Sequence, residues 1–222
     1  MHAPQRRRTS LAAIVAAATT LALSAHAQCP DLIVEHSYPF PASGSQFGEA
    51  VDIDGSVVVI GDPFANTSLN STGVARVYEQ APSGAWALTA DLQAPSPQFN
   101  ARFGTSVAIS GDRILVGSPR HDPQFGQANR GAAFLFIRNG IGNWIFDRML
   151  TADDGMNGDQ FGTAVDISGD DIVIGAPQPL GGGPGPGRAY VFHYFAPPGL
   201  EWVQTQSITP LGFQQGVGPT TL

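Results

Sequence analysis

The sequence predicts an all-β fold of the β-propeller type, with about three four-stranded antiparallel blades and one leading strand in an incomplete or open ring. The first observation behind this prediction is an internal repeat. The chain reads FGEAVDIDGSVVVIGDP from Phe47, FGTSVAISGDRILVGSP from Phe103 and FGTAVDISGDDIVIGAP from Phe161. Spacings of 56 and 58 residues are typical of stacked or radial repeat architectures. The second observation is a content of 27 Gly and 18 Pro, which fits many short strands joined by turns.

Two further landmarks keep the register of the repeat. A glycine recurs at the same two intervals as the phenylalanine, and a tryptophan recurs every 58 residues. These landmarks are Gly61, Gly117 and Gly175, and Trp86, Trp144 and Trp202. Because chance does not hold three landmarks in register over most of a chain, each repeat predicts one structural unit.

The second repeat shows how one unit is expected to fold. Val107 and Ile109 share one face of a first strand, and Gly111 permits a tight turn after it. Further strands are expected over 113–116, 131–138 and 144–150, with the hairpin signal Asn139-Gly140 before the last of them. The other repeats reproduce this plan, and the chain after residue 27 carries no helical apolar period.

The first 27 residues are predicted to be a secretory signal peptide. A basic segment (6–8) precedes an apolar run (11–23), and Ala25-His26-Ala27 has the pattern of a cleavage site. The apolar run is too short to span a membrane. We therefore expect a mature chain from Gln28 that is secreted, in the periplasm or at the cell surface, and of bacterial type.

The chain divides into six predicted segments. They are the signal peptide (1–27), an N-terminal segment with an orphan outer strand (28–46), three blades (47–102, 103–160 and 161–210), and a tail or truncated start of a fourth repeat (211–222). Because closed propellers have about four to eight blades, the ring is predicted to be incomplete. A truncated fragment, an arc completed by self-association through exposed blade faces, and a tolerated open arc are the three explanations.

Charge and cysteine content restrict the partners. Removing the three arginines of the leader takes the formal net charge from −7 to about −10, and all basic residues are arginine. An acidic surface of this kind argues against nucleic acid and against anionic membranes. The single cysteine, Cys29, excludes an internal disulfide and leaves a free thiol or an intermolecular bond.

The opening Phe-Gly and the closing Gly-x-Pro of each repeat resemble the FG-GAP repeat, the blade unit of integrin α-chain head domains and of secreted bacterial proteins. The residues that carry the resemblance are Phe47, Gly48, Gly61, Pro63, Phe103, Gly104, Gly117, Pro119, Phe161, Gly162, Gly175 and Pro177. The resemblance covers about residues 31 to 208 and implies a propeller. We expect structural roles for these residues, with each Phe filling the space between blades and the Gly after it allowing close backbone approach.

The resemblance also raises calcium as a cofactor, but the sequence departs from the calcium-binding pattern. The turns at 52–55, 110–112 and 166–171 are too short to supply six or more oxygen ligands. A second acidic loop holds the candidate metal ligands Asp153, Asp154, Asn157 and Asp159. A solvated loop is favoured over a metal site there, so no cofactor is predicted.

Catalytic patterns are weak. The histidines fall at different blade positions, and the His121-Asp122 pair is interpreted as loop surface. The sequence therefore predicts a non-catalytic binding, adhesion or scaffold module whose partner is an extracellular protein or glycan. Two alternatives stay open. One is a fragment or accessory part of a larger secreted enzyme, and the other is a carbohydrate-binding module whose tryptophans could stack on sugars.

Overall fold

All regular secondary structure in the part of the chain that the computed structural model describes is β-strand. The described residues are 44–67, 70–124, 128–177, 186–195 and 201–210. The predicted signal peptide (1–27), the predicted orphan strand near 32–38 and the predicted tail (211–222) lie outside them. None of the described residues belongs to a helix long and apolar enough to cross a membrane.

The twelve strands form three four-stranded antiparallel sheets, which we name blades 1, 2 and 3. Blade 1 contains β1 (Val51–Asp54), β2 (Val57–Asp62), β3 (Val74–Gln80) and β4 (Trp86–Leu92). Blade 2 contains β5 (Ser106–Ser110), β6 (Arg113–Ser118), β7 (Ala132–Arg138) and β8 (Trp144–Leu150). Blade 3 contains β9 (Ala164–Ser168), β10 (Asp171–Ala176), β11 (Arg188–Phe195) and β12 (Glu201–Ile208). Consecutive strands are neighbours throughout, which confirms the predicted blade plan.

The turn between the first two strands of blade 2 lies where its glycine predicts. Ser110 pairs with Arg113 across a two-residue turn, and Gly111 there has a φ of 56°. This left-handed conformation suits glycine. The second strand extends two residues beyond its predicted end at Val116, because Gly117 and Ser118 pair with β7. Pro119 follows directly and cannot donate to the ladder.

The hydrophobic core lies between the blades. One buried cluster joins Val59 and Val77 of blade 1 to Ile114 and Phe134 of blade 2. A second joins Leu115 and Leu135 of blade 2 to Ile172, Ile174 and Tyr190 of blade 3. Alternate residues of the same strand of blade 2 serve the two clusters, because side chains alternate across a strand. Blade 2 is therefore buried on both faces.

Candidate functional site

The phenylalanines that open the second and third repeats are buried between blades. Phe103 is 0% exposed, and its ring centroid lies 5.4 Å from that of Phe134. Phe161 is 1% exposed and lies 5.4 Å from the ring of Tyr190. The main-chain nitrogen of Phe103 donates to the carbonyl of Thr72 in blade 1 at 3.0 Å. Each of these residues thus joins its own blade to the preceding one.

Phe47 occupies the same repeat position but is 49% exposed. Its ring makes an edge contact with Tyr78 at 6.4 Å, and the guanidinium of Arg76 lies 5.4 Å from its centroid. The expectation that every opening Phe fills a space between blades does not hold here. Within the described residues no sheet precedes blade 1, and the ring is covered only in part, by residues of its own blade.

The glycines of the motif mark the closest backbone approach between blades. A Cβ built on Gly61 would overlap the carbonyl oxygen of Gly104, and one on Gly117 would overlap that of Gly162. At Gly175 the nearest atom is the Cβ of Ala164, at 3.4 Å. A Cβ on Gly48 would meet nothing within 4 Å. The close approach therefore occurs only where a neighbouring blade is present. The three prolines, Pro63, Pro119 and Pro177, follow the last residues of β2, β6 and β10.

The aspartates in the first turn of blade 1 connect it to blade 2. Asp52 Oδ2 accepts a hydrogen bond from the main-chain nitrogen of Ile109 at 2.8 Å, and Asp54 Oδ2 accepts one from Gly111 at 2.6 Å. Sequence reasoning assigned these carboxylates to turn chemistry and missed the contact with the next blade. A repeat alignment gives no signal for it, because the alignment makes position 52 equivalent to position 108 without showing which residues of two blades lie side by side.

The acidic loop between blades 2 and 3 does not gather its carboxylates at one point. Asp154 pairs with Arg188 and accepts a hydrogen bond from the Tyr190 hydroxyl at 2.9 Å. Asp159 is buried and accepts from the Met156 main-chain nitrogen at 2.7 Å. Asn157 Oδ1 accepts from Ala128, whereas the main-chain nitrogen of Asp153 donates to Gln204 Oε1. Among the described residues no group of three His, Cys, Asp or Glu side chains is placed to hold a metal ion.

Tyr190 contacts both Asp154 and Arg188, which pair between the acidic loop and blade 3. Its side chain is fully buried, and burial, followed by the hydrogen bond to Asp154, raises its pKa to about 12. The hydrogen bond with Tyr190 in turn raises the pKa of Arg188. The neutral hydroxyl therefore joins blade 3 to the loop that leads into it.

We define the loop face by the connections that follow the second and fourth strands. Its described residues in blades 1 and 2 are 63–67, 70–73, 93–105, 119–124, 128–131 and 151–163, and those in blade 3 are 177, 186–187 and 209–210. Loops of successive blades bond to one another, because Arg102 donates to the Ser71 carbonyl at 3.2 Å and Gln160 donates to the Asn129 carbonyl at 3.2 Å. All non-glycine residues with positive φ among the described residues lie on this face: Ser71, Asn100, Arg102, Asn129 and Gln160. These bonds fix the shape of the face.

Three arginines on the loop face, Arg102, Arg120 and Arg130, have no carboxylate partner within the described residues. Burial, and then the positive charge of Arg120, lower the pKa of Arg102. The Arg102 guanidinium lies 4.7 Å from the Phe64 ring centroid, and its Nε is buried without a hydrogen-bond partner among the described residues. Phe99 on the same face is 70% exposed, and Met156 is 60% exposed. The face therefore combines arginines that lack carboxylate partners with exposed apolar side chains, and it also holds Asp122, Asp153, Asp154 and Asp159.

His121 departs from the predicted surface position, since it is only 3% exposed. Its ring meets Phe134 edge-on at 5.0 Å, and burial lowers its pKa. The Asp122 carboxylate faces elsewhere and accepts from the Asn129 main-chain nitrogen at 2.6 Å. The ring fills the space above Phe134, so the two side chains do not form a catalytic pair.

The repeated tryptophans lie at the start of the fourth strands, as the first residue of β4 and β8 and the second residue of β12. Trp202 is 7% exposed and packs on Tyr194 at 5.4 Å and beneath the Arg113 guanidinium. Trp144 packs against the cluster between blades 1 and 2, with Arg138 at 5.4 Å from its ring centroid. Both rings are thus engaged in packing and cation–π contacts.

Comparison with known protein families matches two segments, 86–136 and 144–192, to the FG-GAP repeat. Each match spans the fourth strand of one blade and the first three strands of the next. Together with the three four-stranded sheets, these matches define a propeller-type repeat module. The chain is an FG-GAP repeat protein, although the matches are shorter than the resemblance predicted over residues 31 to 208. No curated protein matches the chain.

Proposed function

We propose that this protein is a secreted, non-catalytic binding or scaffold module that contacts an extracellular partner through its loop face. The observations that carry the proposal are Arg102 and Arg120, without carboxylate partners in the described structure, and the exposed Phe99 in the same set of loops. Aromatic and arginine side chains dominate the energetics of many protein interfaces. A partner that presents acidic groups beside an apolar side chain suits this surface.

The rigidity of the loop face supports the same role. Hydrogen bonds between neighbouring loops include the paired contacts of the Gln98 amide with the main chain of Asp122, at 2.9 and 2.8 Å. A surface that is fixed before binding loses less conformational entropy when a partner docks. The loops also differ in sequence from blade to blade, as binding loops on a repeated scaffold commonly do.

The non-catalytic part of the proposal is supported by the histidines. His121 is packed against Phe134, and His193 pairs with Asp171 at 2.8 Å on a strand of blade 3, away from the loop face. Export is supported by the basic and apolar segments of the first 27 residues. Intact mass of the exported product tests export and cleavage after Ala27.

A binding screen with matched variants tests the role of the loop face. The exported chain is presented to a panel of extracellular matrix proteins and to a glycan array that includes sulfated and carboxylated glycans. The loop-face variant combines Phe99→Ser with Arg120→Gln. The control is Ile141→Ser, because Ile141 is 81% exposed on the hairpin at the opposite end of blade 2.

We expect the chain to bind a protein of the panel, with binding lost in the loop-face variant and kept in the control. A folded chain that binds no member of the panel would contradict the proposal, and so would equal binding by both variants. Binding only to glycans, abolished by Trp144→Ala, would support the carbohydrate-binding alternative instead.

A further inference from the structure

The outer face of blade 3 carries a groove of about 490 Å³ at the end of β10. Its lining includes Gly175, Ala176, Pro177, Gly187 and Ala189. In blade 2 the residues at the positions of Gly175 and Gly187 are Gly117 and Gly131, which lie against Gly162 and Phe161 of blade 3. The groove is therefore equivalent to the surfaces of blades 1 and 2 that are covered by the Phe-Gly segment of the next blade.

The apolar residues around this groove are exposed where their counterparts are buried. Val173 is 42% exposed, whereas Leu115 at the same position of blade 2 is fully buried. Ile208 is 52% exposed, whereas Leu150 is 5% exposed. Both counterparts belong to the cluster between blades 2 and 3. Blade 3 thus presents a blade-docking face that lacks a blade within the described structure.

The complementary face lies at the other end of the array, on blade 1. Phe47, Val51 and Ile53 are 49%, 64% and 59% exposed. The residues at their positions in blade 2 are Phe103, Val107 and Ile109, which are at most 8% exposed because they pack on blade 1. Blade 1 therefore exposes a surface whose equivalent in blade 2 is packed against the preceding blade.

The polar groups of the two faces match only in part. Asp166 occupies the position of Asp52, whose Oδ2 accepts from the main chain of Ile109 in the next blade. Asp166 binds the nitrogen of Ile167 through Oδ1, and its Oδ2 has no hydrogen bond within the described residues. The nitrogen at the matching position of a docked blade 1 is that of Ile53, which already donates to Asp52 Oδ1 at 2.8 Å within its own chain. The case for docking therefore rests on the apolar surfaces and the glycine contacts.

From this correspondence we propose that the groove of blade 3 binds Phe47-Gly48 of a second copy of the chain, so that two copies associate head to tail. The occupant follows from continuity with the two junctions already present in each chain. When each copy docks on the other in this way, the six described blades form one ring, within the four to eight blades of closed propellers. The proposal does not depend on the loop face or its partner.

Gly175→Ala separates docking from folding. Within one chain the new methyl group has ordinary contacts, because the nearest atom lies 3.4 Å away. In the dimer it would overlap the carbonyl oxygen of Gly48 of the second copy, as a methyl on Gly117 would overlap that of Gly162. Phe47→Ala changes the other surface of the proposed interface, because it removes the ring that the groove would receive. Gly140→Ala is the matched control, because a Cβ there meets nothing within 4 Å.

Sedimentation and native mass spectrometry of the exported chain and its variants, over a range of concentrations, test the proposal. We expect a dimer for the unaltered chain and for Gly140→Ala. Gly175→Ala and Phe47→Ala should each weaken the dimer by about 30-fold or more, the effect of losing an interface anchor. Circular dichroism should show both variants folded. A monomer at every concentration, or a dimer that Gly175→Ala leaves unchanged, would overturn the proposal.

Discussion

The backbone of Gly61 at the end of β2 lies against the carbonyl oxygen of Gly104, so closely that a Cβ atom at position 61 would overlap that oxygen. Gly117 has the same relationship to Gly162 one blade later. These contacts explain why the motif pairs a Phe-Gly with a glycine that lies in the preceding blade. The motif describes a junction between blades rather than a single blade.

Two phenylalanines at the same repeat position should differ in their contribution to stability. Phe103→Ala should lower the free energy of unfolding by about 3–5 kcal/mol, because it empties a fully buried site. Phe47→Ala should lower it by less than about 1 kcal/mol, since half of that ring is already in solvent. Denaturant unfolding at concentrations too low for association measures both, and equal losses would be inconsistent with the described packing.

Asp52 of β1 and Asp166 of β9 occupy the same repeat position and provide a second matched pair. Asp52→Ala should cost about 1–3 kcal/mol, because it leaves the Ile109 nitrogen without its acceptor inside a blade junction. Asp166→Ala should cost about 0.5 kcal/mol, since that exposed carboxylate bonds only its neighbour Ile167. Thermal unfolding of the two variants compares them. A larger loss at position 166 would refute the inter-blade role of Asp52.

The raised pKa of Tyr190 predicts that the fold loses stability at alkaline pH. Its pKa is raised from 10.0 to about 12 in the folded chain, so the fold favours the neutral phenol. The stabilisation is present in full below pH 10 and is lost as the pH rises towards 12, by about 2 kcal/mol. Unfolding measured across this window should show the decline in the unaltered chain. In Tyr190→Phe the decline should be smaller, and an identical pH profile would argue against the assignment.

The lowered pKa of His121 predicts that the fold loses stability at acidic pH. Burial lowers its pKa below the ordinary 6.5, so the folded chain favours the neutral ring. The stabilisation is present above pH 6.5 and is lost as the pH falls through the lowered folded value. His121→Phe keeps a ring against Phe134 but removes the titration. Unfolding of the variant between pH 7 and pH 5 should depend less on pH than that of the unaltered chain, and equal dependence would count against this account.

Much of the fold could be predicted, because the repeat sets both strand positions and turn chemistry. The fourth strand of blade 2 was predicted over 144–150 and lies there. The half-exposed ring of Phe47 could not be predicted from its repeat, because its exposure depends on whether a neighbouring blade is present. The burial of His121 depends on the path of a loop above Phe134, which no periodicity describes.

The candidate site was less predictable than the fold. The contact of Asp52 with Ile109 depends on how two sheets align, and the sequence of one repeat does not contain that alignment. The interaction between the charges of Arg102 and Arg120 joins two loops that are 18 residues apart in the chain, and it exists only in the fold. The metal candidates Asp154 and Asp159 share a loop, yet they bond to different partners.

The most direct test of the repeated junction compares the stabilities of Gly61→Ala and Gly175→Ala. Both glycines are the next-to-last residue of the second strand of their blade. Gly61 bonds to Ala50, which precedes β1, and Gly175 pairs with Ala164 of β9. Gly61→Ala should lower the free energy of unfolding by about 3 kcal/mol or more, because its methyl would overlap the Gly104 carbonyl. Gly175→Ala should change it by less than about 1 kcal/mol under monomeric conditions. Equal effects of the two substitutions in denaturant unfolding would contradict the junction described here.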